Sequence, residues 1–166
     1  MSPELEENLA KLYALLSKAA ARKKVYAQKA RQDGRPGRAH LLRVLSASET
    51  IQARRLLKTL RGKVDTTEKY LATIFEQELP LLLEEYSRNM QITRDAGSIP
   101  MNHALTQMRA ASRRLQSFYS TDKHELRHED DRQYYLCRFC GYVGETSPPE
   151  TCPICGAKQE SFQEVF

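Results

Sequence analysis

Apolar positions recur at alternating steps of three and four over most of the chain. Leu5, Leu9, Leu12, Leu16, Ala19 and Tyr26 form the first such stripe, interrupted only at Lys23. That spacing predicts an amphipathic helix, ending at Asp33-Gly34 with Pro36 and Gly37 in the turn. A second helix is expected from about Arg38 to Arg61. A third starts near Asp65 or Thr66, where Thr66 can cap its first turn, and runs to about Ala96-Gly97. Pro80 lies inside it and predicts a kink, because proline offers no N–H to the Glu76 carbonyl. The fourth runs from Pro100 to about Tyr119.

Four long helices joined by short turns predict an all-α, antiparallel four-helix bundle over residues 1–122. Residues 123–133 are dense in charge and read as a linker. From residue 134 the pattern changes, with Tyr134, Tyr135, Phe139, Tyr142, Phe162 and Phe166 gathered around four cysteines. Residues 134–166 are therefore expected to form a small metal-binding domain of short strands and turns.

The chain has 166 residues, 28% charged and 40% hydrophobic, with a mean hydropathy of -0.62. It is foldable, and no apolar run approaches the roughly 20 residues of a membrane span. The N-terminus has no secretory pattern, so a cytoplasmic location is expected. Net charge is +5, unevenly spread: residues 1–132 carry +7 and residues 133–166 carry -2.

All four cysteines fall in Cys137-Arg-Phe-Cys140-Gly141 and Cys152-Pro-Ile-Cys155-Gly156, with eleven residues between the pairs. Two residues between cysteines let both thiolates reach one ion. The glycine after each pair can adopt φ > 0 and fold the chain back, pointing N–H groups at sulfur. Two such knuckles make a tetrahedral four-thiolate site for iron or zinc. Disulfides are the competing use, and they are rare in a cytosolic chain.

The tail resembles the rubredoxin-like domain that ends rubrerythrins, and the preceding helices resemble their ferritin-like bundle in number, order and length. The resemblance implies one iron on Cys137, Cys140, Cys152 and Cys155, passing electrons to a di-iron site that reduces hydrogen peroxide. The second helix carries Glu49-Thr-Ile-Gln52-Ala53, which looks like the family's Glu-x-x-His-Ala with glutamine for histidine. Glu78 matches the first member of a Glu-x-x-Glu pair whose second member is Leu81 here. The remaining ligand positions fall at Leu16, Ser112 and Leu115.

Two carboxylates without histidine do not hold two irons as the family does. The di-iron centre is therefore expected to be absent, its cavity filled by Leu16, Leu81 and Leu115. Glu49, Gln52 and Glu78 are expected to remain as a hydrogen-bonded cluster, or as a site for a single ion.

Two further patterns compete for attention. His124-Glu125-Leu126-Arg127-His128 spells H-E-x-x-H, but its charged flanks belong in solvent, and coincidence explains it best. Lys18, Arg22, Lys23, Lys24, Lys29, Arg31, Arg35 and Arg38 form a basic run, read as a solvated helix face. Aromatics are sparse along it and the tail is acidic, so nucleic acid is not the expected partner. His40 and His103, near helix starts, are expected at the surface.

The functional expectation is an iron-binding electron carrier that works with a redox partner protein, as a homodimer, with peroxidase activity lost or impaired. A zinc ribbon on a helical scaffold without enzymatic activity is the alternative.

Overall fold

The computed structural model describes residues 2–60, 66–127 and 132–165. It divides into two compact units, Met1–Val64 and Asp65–Phe166. As expected, the chain is helical with a small C-terminal sheet. The charge division follows these units more closely than it follows the tail: the first carries +10 and the second -5.

In the first unit, α1 (Pro3–Gln32) and α2 (Pro36–Leu60) form an antiparallel hairpin. Ser2 caps α1 by accepting from the Leu5 N–H, and Glu4 and Glu6 complement the positive end of its dipole. Gly34 closes the helix at φ +66, as the Asp33-Gly34 signal predicts.

The packed seam differs from the expected apolar stripe. Ala20 and Ala27 of α1 and Ala39, Ser46 and Ala53 of α2 are the buried residues, each set spaced by seven. Seven-residue spacing keeps a residue on one line of a helix, and small side chains let the two backbones approach closely. Ser46 uses that approach to donate from its hydroxyl to the Ala20 carbonyl at 2.9 Å. The larger Leu5, Leu12, Tyr26 and Leu45 lie beside this seam and stay exposed in the hairpin. Bulky stripes dominate a hydropathy reading, whereas close backbone contact selects alanine and serine.

In the second unit, Thr66 caps α3 (Thr67–Ala72) through the Lys69 N–H. A π-helical segment, Thr73–Glu78, follows and leads into α4 (Leu79–Asp95). The irregularity expected at Pro80 is thus absorbed one turn earlier, where the Leu79 N–H bonds the Ile74 carbonyl. Gly97 (φ +65) turns the chain into α5 (Ile99–Leu115). The α4–α5 hairpin is tied by Asn102, which donates to the Met90 carbonyl at 2.6 Å, and by Arg109, which donates to the Ser87 hydroxyl at 2.9 Å.

A short 3₁₀ turn, Gln116–Phe118, ends the helical run. Tyr119–Ser120 (β1) then pairs antiparallel with Glu125–Leu126 (β2), inside the segment expected to be a helix end and linker. Beyond it lies a three-stranded antiparallel sheet in the order β4-β3-β5. Its strands are β3 (Tyr134–Cys137), β4 (Val143–Glu145) and β5 (Phe162–Val165). Among the described residues no helix is long and apolar enough to cross a membrane.

The close seam sets the first prediction. Ala20→Leu should overpack it and lower unfolding stability by about 1–3 kcal/mol. Ser46→Ala, which loses only the bond to Ala20, should cost about 1 kcal/mol. Urea titrations followed by circular dichroism would read both, and a neutral Ala20→Leu would refute the seam.

Candidate metal centre

Cys137 ends β3, and Cys140 follows in the first knuckle. Cys152 and Cys155 occupy a second knuckle between β4 and β5. The two knuckles repeat one backbone pattern. The Gly141 N–H donates to the Cys137 carbonyl, and the Gly156 N–H to the Cys152 carbonyl, both at 2.9 Å. The Cys137 N–H in turn donates to Tyr142 at 2.9 Å, and the Cys152 N–H to Ala157 at 2.8 Å. Gly141 and Gly156 sit at φ +81 and +71. A β-carbon at either would meet open space, so conformation and not crowding calls for glycine.

This geometry brings all four sulfurs within 4.8 Å of one another. Cys137 and Cys155 Sγ are 3.6 Å apart, and Cys140 and Cys152 Sγ 3.5 Å. These separations far exceed the ~2.05 Å of a disulfide. They approach the ~3.8 Å edge of a tetrahedron with metal–sulfur bonds of ~2.3 Å. Disulfides are therefore not the use of these cysteines; all four are free thiols.

Electrostatics point the same way. Burial pushes the thiols of Cys140 and Cys155 up, so in that pocket their neutral forms are favoured. Cys137 is also raised by burial. N–H groups of Cys140 and Phe139, with the neighbouring thiols of Cys155 and Cys140, outweigh this and bring it below the ordinary thiol value. The Tyr142 and Ala157 N–H groups lie against the Cys140 and Cys155 sulfurs. Four thiolates this close repel one another, and a cation at their centre is what lets all of them ionise. The donor set, spacing and N–H···S contacts fit a single divalent or trivalent ion. Among the described residues this is the only cluster of three or more cysteine, histidine or carboxylate side chains able to hold a metal.

Residues 135–163 match the family model "Rubrerythrin, rubredoxin-like domain". They are a rubredoxin-like domain of the rubrerythrin type. Two solved structures resemble the chain along nearly its whole length. The partially reduced state of nigerythrin shares 22% identity and the fully reduced, all-ferrous state 21%. For both, the match covers 96% of this chain and 86% of the other, with a TM-score of 0.50. At that identity the likeness is one of fold. No curated protein matches the chain.

The rubredoxin-like sheet is buttressed on two sides. Tyr142 and Phe162 meet edge to face at 6.4 Å, and with Ile154 and Ala157 they pack on the buried cysteines. Phe139, expected in that cluster, is instead 80% exposed at the knuckle tip. Phe166 lies outside the described residues. On the other side Glu145 of β4 accepts from Arg114 of α5 at 2.6 Å and from Arg132 at 2.9 Å. Arg114 also lies over the Phe118 ring, which meets Tyr134 of β3 edge-on. Sequence reading missed this clamp, because a glutamate bridging two arginines has no spacing signature.

The helical candidates are arranged differently from expectation. Glu49 does not join Gln52. Its carboxylate takes the Lys23 ammonium at 2.5 Å, while the Gln52 amide bonds Ser48 at 3.2 Å. Lys23 and Glu49 are 24% and 22% exposed, so the pair is largely withdrawn from water. Lys23 is the single interruption in the α1 stripe, and its partner explains that interruption. Glu78 closes the π segment and is exposed, and Leu81 is 59% exposed.

The H-E-x-x-H pattern is not helical. His124 sits in the β1–β2 turn at φ +53, and Glu125 is on a strand; His128 lies outside the described residues. His124 Nδ1 lies 2.7 Å from the Glu76 carboxylate, which also accepts from the Tyr119 hydroxyl at 3.1 Å. Tyr119 is buried and stacks on Phe75 at 4.9 Å, while His40 and His103 are exposed.

Two predictions follow from these pairs. Lys23→Met leaves the Glu49 carboxylate without its cation and should cost about 1–3 kcal/mol, while Lys23→Met/Glu49→Leu should recover most of that loss. Equal stability of the single and double variants in urea would contradict the pairing.

The His124 hydrogen bond holds Glu76 below the ordinary carboxylate value of 4.5, against some burial and with help from Tyr119. A carboxylate with a lowered folded value stabilises fully above its unfolded value and loses that contribution as pH falls through the folded one. Stability should therefore drop less steeply between about pH 5 and 3 in Glu76→Gln than in the parent. Parallel pH profiles of the two would exclude the effect.

Proposed function

We propose that this protein is a rubrerythrin-like, iron-binding electron carrier without a working di-iron peroxidase centre. The observation that carries the reading is the four-thiolate pocket, preorganised by paired knuckles with N–H groups against its sulfurs. An iron bound there supplies one-electron chemistry with little change in its ligands.

The chain's own residues set the conditions for it. The N–H groups of Phe139, Cys140, Tyr142 and Ala157 stabilise thiolate charge, which tunes the potential. Tyr142 and Phe162 cover the cysteines from one side. Phe139 leaves an apolar contact at the exposed tip, suited to a redox partner protein.

Loss of the peroxidase centre is supported by the Lys23–Glu49 pair, in which an ammonium occupies the carboxylate best placed to hold metal. The free, mutually close thiols suit a reducing compartment such as the cytoplasm. Both helical hairpins carry exposed large apolar residues, Leu12 and Leu45 in one and Leu82 and Met108 in the other, which favours a homodimer.

A zinc ribbon on a helical scaffold uses the same donors and is the second reading. Metal analysis with a visible spectrum separates them. Protein from iron-replete cells should be red, with about one iron per chain and charge-transfer bands bleached by dithionite. It should consume peroxide no faster than the free metal does. Colourless protein with one zinc would overturn the iron reading, and a second and third iron per chain with rapid peroxide turnover would overturn the lost centre.

A further inference from the structure

The α1–α2 hairpin has another face, away from the Lys23–Glu49 pair. Lys24 and Arg31 line it from α1, seven residues or about 10 Å apart along the axis. Arg43 and Arg54 line it from α2, eleven residues or about 16 Å apart. Between these rows runs a groove of about 610 Å³ with Ala47 and Ile51 as its exposed apolar lining, Ile51 being 65% exposed.

The cations of this groove are not neutralised. Lys24, Arg31 and Arg54 have no carboxylate partner among the described residues, and Arg43 meets only His40 Nδ1 at 3.4 Å. Residues 1–64 contain five acidic side chains. Glu4, Glu6 and Glu7 lie at the start of α1, Asp33 is taken by Lys29, and Glu49 by Lys23. None lines the groove. Four cations without carboxylate partners, set at the rims of an apolar trough, are complementary to an anionic partner that has an apolar face.

We propose that this groove docks an acidic amphipathic helix of a partner protein. Carboxylates on the flanks of that helix pair with Lys24, Arg31, Arg43 and Arg54, and its apolar stripe covers Ala47 and Ile51. A second copy presenting the same face would set four cations against four, so a symmetric dimer through this groove is disfavoured. Nucleic acid is disfavoured too. Phosphates have no use for the apolar floor, and no aromatic side chain lines the groove on which a base could stack.

The test uses full-length, metal-loaded protein and fluorescence anisotropy. The probe is a fluorescein-labelled helical peptide of three Glu-Leu-Ala-Glu-Ile-Ala-Glu heptads, and its control replaces every Glu by Lys. The Glu peptide should bind in the micromolar range and weaken about tenfold between 50 and 300 mM salt. Arg43→Glu/Arg54→Glu should weaken it by about tenfold or more, and Ile51→Asp by about threefold or more. Circular dichroism and metal content, unchanged from the parent, would show that the variants fold; Arg43→Gln/Arg54→Gln serves if the reversal does not. Equal binding of the Lys peptide or undiminished binding by the folded variants would overturn the proposal. So would tighter binding of a 20-base-pair duplex or of phosphatidylserine vesicles.

Discussion

Four sulfurs within 4.8 Å of one another cannot all be thiolates unless a cation stands among them. Burial raises Cys140 and Cys155, whereas Cys137 has enough N–H and thiol partners to fall below its ordinary value. The rest of the small sheet is arranged around that constraint. Gly141 and Gly156 adopt positive φ so that the N–H groups of Tyr142 and Ala157 reach sulfur. Aliphatic residues are scarce there, so the aromatic cover and the Arg114–Glu145–Arg132 clamp supply what a larger core would otherwise provide. A metal that lets the thiols ionise thereby contributes to folding as well as to chemistry.

The helical units meet a related problem with a different cation. A glutamate on an inward stripe of α2 needs a positive partner, and Lys23 supplies it at 2.5 Å. An ammonium on its own backbone neither exchanges nor changes oxidation state. It neutralises the carboxylate through one oxygen, while the other, Oε2, stays buried without a hydrogen-bond partner. Glu76 shows the same economy, its carboxylate serving His124 and Tyr119 together.

The parts legible in the sequence are those decided by local chemistry. Paired Cys-x-x-Cys-Gly segments specify a knuckle within six residues, and Asp33-Gly34 specifies a helix end within two. What was illegible depended on which surfaces meet. The seam of Ala20, Ala27, Ala39, Ser46 and Ala53 carries little hydrophobicity, so a stripe of leucines outweighed it in the pattern. Lys23 stood out only as a gap in that stripe, because a pair 26 residues apart has no periodic signal. Pro80 announced a distortion, but not that a π segment would form before it. His124-Glu125-Leu126-Arg127-His128 has helical spacing on paper, and the β1–β2 pairing cancels it by holding Glu125 on a strand.

Charge gives the two units different long-range roles. Residues 1–64 carry +10 and residues 65–166 carry -5, so the field around the first attracts acidic partners while that around the second repels them. At physiological salt this reach is about 8 Å, short enough that local arrangement matters more than the total. Within the first unit the carboxylates nearest the cations are already paired, which leaves the charge on one face uncompensated. Within the second, the exposed apolar Phe139 stands at the knuckle tip beside the thiolates. Electrostatic attraction acts before two surfaces touch, whereas an apolar contact stabilises only once water has been excluded between them. The two kinds of surface are separate in this chain, because its cysteines and its unpaired cations lie in different units.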